Sequence, residues 1–205
     1  MREKTYKVYG FDELPKEVQE KAIERFRESN LDYDWWDASY DDFSRIAEIL
    51  GIDLKTKEVK LMNGGIRKEP AIYFSGFYSQ GDGACFEGTY QYAKGSVKKM
   101  KAYAPNDEEL HRIAQGLYEI QKKYQYRLTA SVKHSGHYYH SGCTHIEVDL
   151  CFPKDEESLK ELLRDFMKWI YHTLEKEYSY LQSDEQIVET IKANEYEFTE
   201  DGKIG

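Results

Sequence analysis

One short segment of the chain, KHSGHYYHSGCTHIE, concentrates side chains that can bind a metal ion. It holds four histidines and one cysteine: His134, His137, His140, Cys143 and His145. Imidazole nitrogen and thiolate sulfur are ligands that zinc prefers, and the first ones to suspect are His137, His140 and Cys143. The spacing matches no zinc finger and no HExxH motif, and no distant pair of cysteines can complete a structural site. The segment therefore predicts either a zinc site in a turn-rich loop or an exposed loop between two strands.

Other side chains could take part in catalysis, but the sequence marks none of them as activated. Cys143 or Cys85 could act as a nucleophile beside a histidine, although unperturbed thiols are poor nucleophiles at neutral pH. A carboxylate pair, such as Glu87 with Glu147 or Asp149, could exchange protons if it were partly buried. We therefore assign no catalytic residue and expect a protein that is not an enzyme and has no cofactor, with zinc as the alternative.

A glycine-rich segment, FYSQGDGACFEG, lies between two aromatic-rich runs. It is neither a Walker loop nor a dinucleotide fingerprint, because its aspartate would oppose a phosphate and a predicted strand follows it instead of a helix. Gly81 to Gly83 are expected to form the tight turn of a hairpin. The residues on its two shoulders then border the neighbouring sheet face: Ser79 and Gln80 before the turn, Cys85 and Glu87 after it.

Composition narrows the class of protein and its partners. The 205 residues carry a formal charge of -9 and include 18 tyrosines. An acidic chain repels a nucleic acid backbone, which disfavours direct binding of DNA or RNA, and the one basic run is Lys98, Lys99 and Lys101. No apolar run approaches the ~20 residues that span a bilayer, and three cysteines without CxxC spacing are expected to be free thiols. We expect a cytoplasmic protein that does not bind a membrane.

Periodicity predicts the elements that position these residues. Helical spacing occurs in LPKEVQEKAIERFRESN, in the stretch from Leu31 to Gly51, and in NDEELHRIAQGLYEIQKKY, DEESLKELLRDFMKWIYHTLEKEYSYL and SDEQIVETIKAN, with Asn106 and Ser183 as caps. Strands are predicted in EVKLM, AIYFSGFY, ACFEGTYQY, YRLTASVKH and THIEVDLC, with TYKVY and EYEFTEDG as outer strands and NGGIRKEP as a flexible loop. The fold class is α+β: an antiparallel sheet of about five strands packed on one face by amphipathic helices, in a single domain over residues 1–205.

Alternation sorts the strand residues onto two faces of this sheet. The face expected to pack on the helices comprises Phe86, Gly88, Tyr90, Tyr92, Leu128, Ala130, Val132, Ile146, Val148 and Leu150. The outward face comprises Cys85, Glu87, Thr89, Gln91, Arg127, Thr129, Ser131, Lys133, His145, Glu147, Asp149 and Cys151. Exposure to solvent is enough to explain polar residues on one face of an antiparallel sheet. The mixture of Arg, His, Glu, Asp and Thr nevertheless favours a binding surface. The predicted ligand-binding residues are Ser79, Gln80, Glu87, Arg127, Thr129, Lys133, His145 and Glu147.

Four segments together resemble a family of accessory proteins encoded by tailed bacteriophages, some of which carry an antitoxin-like label. They are FSGFYSQGDGACFEG, APNDEELHRIA, KHSGHYYHSGCT and YLQSDEQIVETIKANEYEFTEDG, and the likeness extends to LDYDWWD and over nearly the whole chain. The resemblance supplies no catalytic residues. It implies a viral protein that acts in the cytoplasm of an infected bacterium, where such proteins inhibit host defence by blocking a protein effector or by sequestering a nucleotide messenger.

Three functions are therefore expected from different classes. The first is a binding protein that antagonises a bacterial defence system through the outward face, with a host defence protein or a nucleotide-derived small molecule as partner. Aromatic rings could stack on a base while Arg127, Lys133 and Thr129 hold phosphates. The second is a metal-dependent hydrolase that uses the histidine loop, and the third is an antitoxin-type protein that binds its partner. A homo-oligomer through the same face is compatible with each of them.

Overall fold

The structure is a computed structural model, and it describes residues 7–29, 31, 33–62, 64–149 and 151–205. Contacts within the chain group it into two compact units. One unit combines the two ends of the chain, up to Trp35 and from Glu175 onward, and the other is Trp36–Leu174. The expectation of a single domain stays a prediction. Among the described residues, no helix has the length and apolar character needed to cross a membrane.

Helices and strands alternate along the chain in an α+β arrangement with antiparallel pairing. In chain order they are β1 (Tyr9–Gly10), α1 (Lys16–Ser29), α2 (Asp37–Leu50), β2 (Ile52–Leu54), β3 (Thr56–Lys60), β4 (Ile66–Pro70), β5 (Ile72–Phe74), β6 (Ala84–Phe86), β7 (Gly88–Gln91), α3 (Ser96–Tyr103), α4 (Glu108–Lys123), β8 (Thr129–His134), β9 (Thr144–Val148), α5 (Pro153–Leu181), α6 (Asp184–Ala193) and β10 (Glu197–Phe198). The predicted fold class is confirmed.

The unit formed by Trp36–Leu174 contains a four-stranded antiparallel sheet in the order β2-β7-β8-β9. Asp53, Thr89, Ser131 and Glu147 form one row across its strands. The opposite face is buried: Val132 is 0% exposed and Ile146 4%. This face packs on α5, since buried Thr144 of β9 places its Oγ1 3.8 Å from Met167 Sδ. The predicted alternation is therefore confirmed for β8 and β9.

A triangle of backbone hydrogen bonds links this sheet to two smaller ladders, β3 with β4 and β5 with β6. The N–H of Lys55 donates to the carbonyl of Glu87 at 2.9 Å, that of Glu87 to Ala71 at 2.9 Å, and that of Ala71 to Lys55 at 2.7 Å. Each of these residues lies between two consecutive strands. At each of them the chain therefore leaves one strand pair and enters another. The triangle fixes where the polar face of the sheet ends.

Several predicted boundaries were wrong because the chain changes partner at this triangle. ACFEGTYQY is not one strand: it divides at Glu87 into β6, which pairs with β5, and β7, which pairs with β2 and β8. The predicted flexible loop NGGIRKEP contains β4, whose five residues pair with β3. The sequence analysis also missed β2 and the lysine-rich helix α3.

The predicted helix caps are confirmed, except that the cap of α4 lies one residue later than predicted. The helix α4 is capped by Asp107, whose side chain accepts the N–H of Leu110, and not by Asn106. Ser183 caps α6 as predicted, and Gly51 ends α2 in a left-handed conformation with φ of 88°.

The unit that combines the chain ends has its own core. Helices α1 and α6 contribute Phe26, Ile187 and Ile191, and the pair β1 and β10 adds Phe198. The predicted outer strands pair with each other but are shorter than predicted: among the described residues, only Tyr9 of TYKVY and Glu197 and Phe198 of EYEFTEDG lie in them. Predictions that fell on Thr5, Tyr6, Asn30, Asp32, Asn63 and Leu150 lie outside the described residues.

Candidate functional site

The outward face of β8 and β9 brings together four of the eight predicted ligand-binding residues. Lys133 lies opposite His145 in the register of β8 and β9, and Thr129, His145 and Glu147 are exposed. Arg127 is exposed just before β8. The strands hold these side chains because alternate residues of each strand leave the buried face.

Polar contacts tie the side chains of this face to one another. Thr129 Oγ1 donates to Asp149 Oδ2 at 2.8 Å, and Ser131 Oγ to Glu147 Oε2 at 3.4 Å. His145 Nε2 lies 3.1 Å from Glu147 Oε1, and about two thirds of each side chain is exposed (66% and 61%). The result is an open surface of both charge signs, in which two contacts link β8 to β9 or to the residue after it and the third lies within β9.

Glu87 has a structural role at the border of the face. Its Oε1 accepts the backbone N–H of His134 at 3.1 Å, and its Oε2 lies 3.4 Å from Lys55 Nζ. The carboxylate thereby satisfies a donor at the end of β8. An effect of Glu87 on function and one on folding must therefore be separated by experiment.

The prediction that Cys85 lies on the outward face was wrong. Cys85 is 0% exposed and lies opposite Tyr73 in the ladder of β5 and β6. The chain turns into another ladder at Glu87, so alternation counted from β7 does not carry back to β6. Burial, together with the nearby Cys143 and Glu87, raises the pKa of the Cys85 thiol to about 12. A thiol protonated at neutral pH is not a nucleophile.

The glycine-rich segment forms the connection of a hairpin, as predicted, but residues 75–83 make a longer loop and not a tight turn. Asp82 organises this loop: its Oδ2 accepts the N–H groups of Tyr78 at 3.0 Å and Ser79 at 2.7 Å. Gly83 packs against the histidine loop so closely that a Cβ there would lie 2.5 Å from the Cα of His140. Ser79 and Gln80 are exposed at the tip.

The histidine loop, residues 135–143, brings together two of the three predicted zinc ligands. Cys143 Sγ lies 3.2 Å from His140 Nε2, whereas His137 is exposed. The N–H of Gly142 donates to His140 Nδ1 at 3.1 Å, which places the ring proton of a neutral imidazole on Nε2, facing the sulfur. A metal at Nε2 requires the opposite tautomer. Among the described residues, no third His, Cys, Asp or Glu offers a ligand atom within 4.8 Å of both.

The sequence analysis missed a cluster of rings and a lysine beside the face. Tyr73 stacks on Tyr139 with ring centroids 5.6 Å apart, and His134 lies 5.8 Å from Tyr73. Lys57 Nζ stands 4.9 Å from the centre of the Tyr73 ring and donates to the carbonyl of Ile72 at 2.9 Å. No short motif reveals this cluster, because its members come from β3, β5, β8 and the histidine loop.

Burial perturbs the titration of this cluster. It lowers the pKa of Lys57, while Glu69, 3.8 Å from Lys57 Nζ, opposes that shift. Burial also raises the pKa of Tyr73, with Glu87 adding to the effect. Perturbed groups often accompany functional sites, but here the lysine is already bound to a backbone carbonyl. The cluster therefore ties the histidine loop, through Tyr139, to β5 and β8.

Two large side chains stand out of the loops beside the face. Tyr78 is 84% exposed in the loop 75–83, and Tyr138 is 59% exposed in the histidine loop. The Tyr138 ring contacts the other loop, since a Cβ at Gly81 would lie 3.2 Å from its Cδ1. The two loops thus form one surface with exposed tyrosines at its top.

Comparison with known proteins places most of the chain in one family. A family model described as a domain of unknown function, DUF8835, matches residues 35–184, and the chain belongs to this family. The match includes β2 to β9 and both loops. No curated protein and no solved structure matches the chain.

Proposed function

We propose that this DUF8835 protein is a phage-encoded, non-catalytic binding protein that antagonises a bacterial defence system by binding a host effector protein. The binding surface is the outward face of β7, β8 and β9 together with the loops 75–83 and 135–143. The observation that carries the proposal is the position of Tyr78 and Tyr138, 84% and 59% exposed, on loops packed against each other beside that face.

The chemistry of this surface suits a protein partner. Tyrosine is enriched among the residues that dominate binding energy, since it buries a large area at a small entropy cost. A polar rim around such anchors supplies hydrogen bonds and charge complementarity. Lys133 offers positive charge, and Glu147 and Asp149 offer negative charge, within one open face, while Arg127 is exposed just before β8. An acidic chain of net charge -9 further favours partners with basic surfaces.

The two alternatives receive less support. A metal-dependent hydrolase needs His140 to present a lone pair from Nε2, and the N–H of Gly142 favours the tautomer that has a proton there. An antitoxin-type protein would also use an exposed surface, so it differs from the main proposal in the partner and not in the geometry. Sequestering a nucleotide messenger is a further way to antagonise defence, and it calls for a site of different chemistry.

The experiment measures phage plating on bacteria that carry individual defence systems, with and without expression of the chain. Restored plating against at least one system supports antagonism, and a Tyr78→Ala/Tyr138→Ala variant should lose it. Tyr180→Ala is the matched control, because Tyr180 is 54% exposed and belongs to the other unit. Restored plating that survives the double substitution would place the binding surface elsewhere. No restoration against any tested system would refute the role for those systems.

A further inference from the structure

A basic segment stands out in this acidic chain. YAKGSVKKMKAY, residues 92–103, has four lysines and no acidic residue, whereas the whole chain has a net charge of -9. Most of it forms α3. Among the described residues, Lys94, Lys98, Lys99 and Lys101 make no ion pair. These charges are therefore available to an anion from solution.

Two of the lysines line an open cavity of about 430 Å³ between α3 and α4. Lys98 and Lys101 lie on the α3 side, and Gln115 and Tyr118 on the α4 side. Lys99 lines a different cleft, with Arg45 and Glu48. The cavity thus combines two cations, an amide and a phenol ring, and its volume falls in the range of roughly 300–1,000 Å³ typical of small-molecule sites.

Three tyrosines extend this cavity into an aromatic platform. The ring of Tyr126 lies 4.4 Å from that of Tyr92 and 6.1 Å from that of Tyr118. Tyr126 is 40% exposed, so part of its ring is open to a ligand. An aromatic face of this kind can stack on a nucleobase whatever the base.

The backbone that carries Tyr126 is strained. Gln125 and Tyr126 have φ values of 54° and 62°, in the left-handed region that non-glycine residues avoid. The N–H of Tyr126 donates to the carbonyl of Gln121 at 2.8 Å, which helps to hold this conformation. Such strain persists only where the surroundings impose it, and here its result is a tyrosine ring set beside Tyr118.

We propose that this cavity and the adjoining tyrosines bind a nucleotide-type small molecule, with its phosphate on Lys98 and Lys101 and its base stacked on Tyr118 and Tyr126. The two lysines are three residues apart and so share a face of the helix, where their ammonium groups can contact one phosphate. A long nucleic acid would meet the repulsion of the acidic chain, while a small anion meets the local field of α3. The site is distinct from the outward sheet face.

The proposed antagonism of defence guides the choice of nucleotides as test ligands. The predicted nucleotide binding itself does not depend on that function. Purified protein is titrated by calorimetry with a cyclic dinucleotide and AMP, and with adenosine and inorganic pyrophosphate as partial ligands. At least one nucleotide should bind saturably and more tightly than either partial ligand. Pyrophosphate binding as tightly as both nucleotides would overturn the base contact, and no saturable binding of either nucleotide would overturn the site.

Variants locate the binding. Lys98→Glu/Lys101→Glu should weaken it about ten-fold or more, whereas Lys99→Glu/Lys94→Glu, with the same change in charge on the same segment, should weaken it far less. Tyr126→Gly removes the ring at a backbone conformation that glycine adopts without strain, so the fold is kept while affinity falls. Equal affinity in Tyr126→Gly and wild type would overturn the proposal. Tyr78→Ala/Tyr138→Ala should bind the nucleotide normally, which separates this site from the sheet face.

Discussion

Lys55 and Glu87 are joined both through the backbone and through their side chains. The N–H of Lys55 donates to the carbonyl of Glu87 at 2.9 Å, and Lys55 Nζ lies 3.4 Å from Glu87 Oε2. Because Glu87 also accepts the N–H of His134 at 3.1 Å, one residue connects β2, β7 and β8 where the polar face ends. The geometry of the face thus depends on this glutamate even if a partner never contacts it.

Substitutions at Glu87 should separate its hydrogen bond from its charge. Glu87→Ala removes the acceptor of the His134 N–H and should lower the free energy of unfolding by about 1–2 kcal/mol. Glu87→Gln keeps an oxygen acceptor and loses only the ion pair with the exposed Lys55, so its loss should stay below ~1 kcal/mol. Urea denaturation measures both, with Glu58→Ala as a surface control on β3. An equal loss in the two Glu87 variants would show that the charge, not the hydrogen bond, is what matters.

Asp107 contacts both α4 and α5 and should contribute more to the stability of the fold than Asn106 does. Its Oδ1 accepts the N–H of Leu110 at the start of α4, and its Oδ2 accepts Trp169 Nε1 of α5 at 2.8 Å. Asp107→Ala removes a cap and leaves a half-buried indole donor without its partner, so we expect a loss of about 2–3 kcal/mol in thermal or urea unfolding. Asn106→Ala should change stability by less than ~0.5 kcal/mol. A larger loss of stability in Asn106→Ala than in Asp107→Ala would show that Asn106 is the cap.

Periodicity in the sequence predicts features that depend on one helix or one strand alone. It does not predict how the chain pairs where several strands meet. The apolar stripe of α5 and the alternation in β8 and β9 are local patterns, so they were predicted correctly. The split at Glu87 follows from hydrogen bonds to residues 16 and 32 positions away in the chain, Ala71 and Lys55, and no local pattern encodes it. The same reason explains why Cys85 was placed on the wrong face. Lys57 and Tyr73 meet only because β3 and β5 are brought together.

The buried thiol of Cys85 gives a prediction about pH. Its pKa of about 12 in the folded protein exceeds the ordinary value of 9.0, so the folded state keeps a proton that the unfolded state loses between these values. The free energy of unfolding should therefore fall as pH rises from about 9 toward 12, and by less in Cys85→Ala than in wild type. Alkylation by iodoacetamide, mapped by mass spectrometry, should modify the partly exposed Cys143 and spare Cys85 until the protein unfolds. Rapid modification of native Cys85 at neutral pH would contradict its burial.

The histidine loop predicts the outcome of adding zinc. In the tautomer that the hydrogen bond from Gly142 favours, His140 Nε2 has a proton that faces Cys143 Sγ, so zinc binding would have to break that hydrogen bond and expel the proton. We expect protein purified in zinc-containing medium to hold no stoichiometric zinc by elemental analysis, and its Tm to be the same with and without added zinc. His137→Ala is the matched variant, because it removes the predicted third ligand, which lies exposed. Stoichiometric zinc that is lost in both His140→Ala and His137→Ala would mean that the loop rearranges around the metal. That result would favour the hydrolase over the binding protein, because three ligands and an open position are the arrangement of a catalytic zinc.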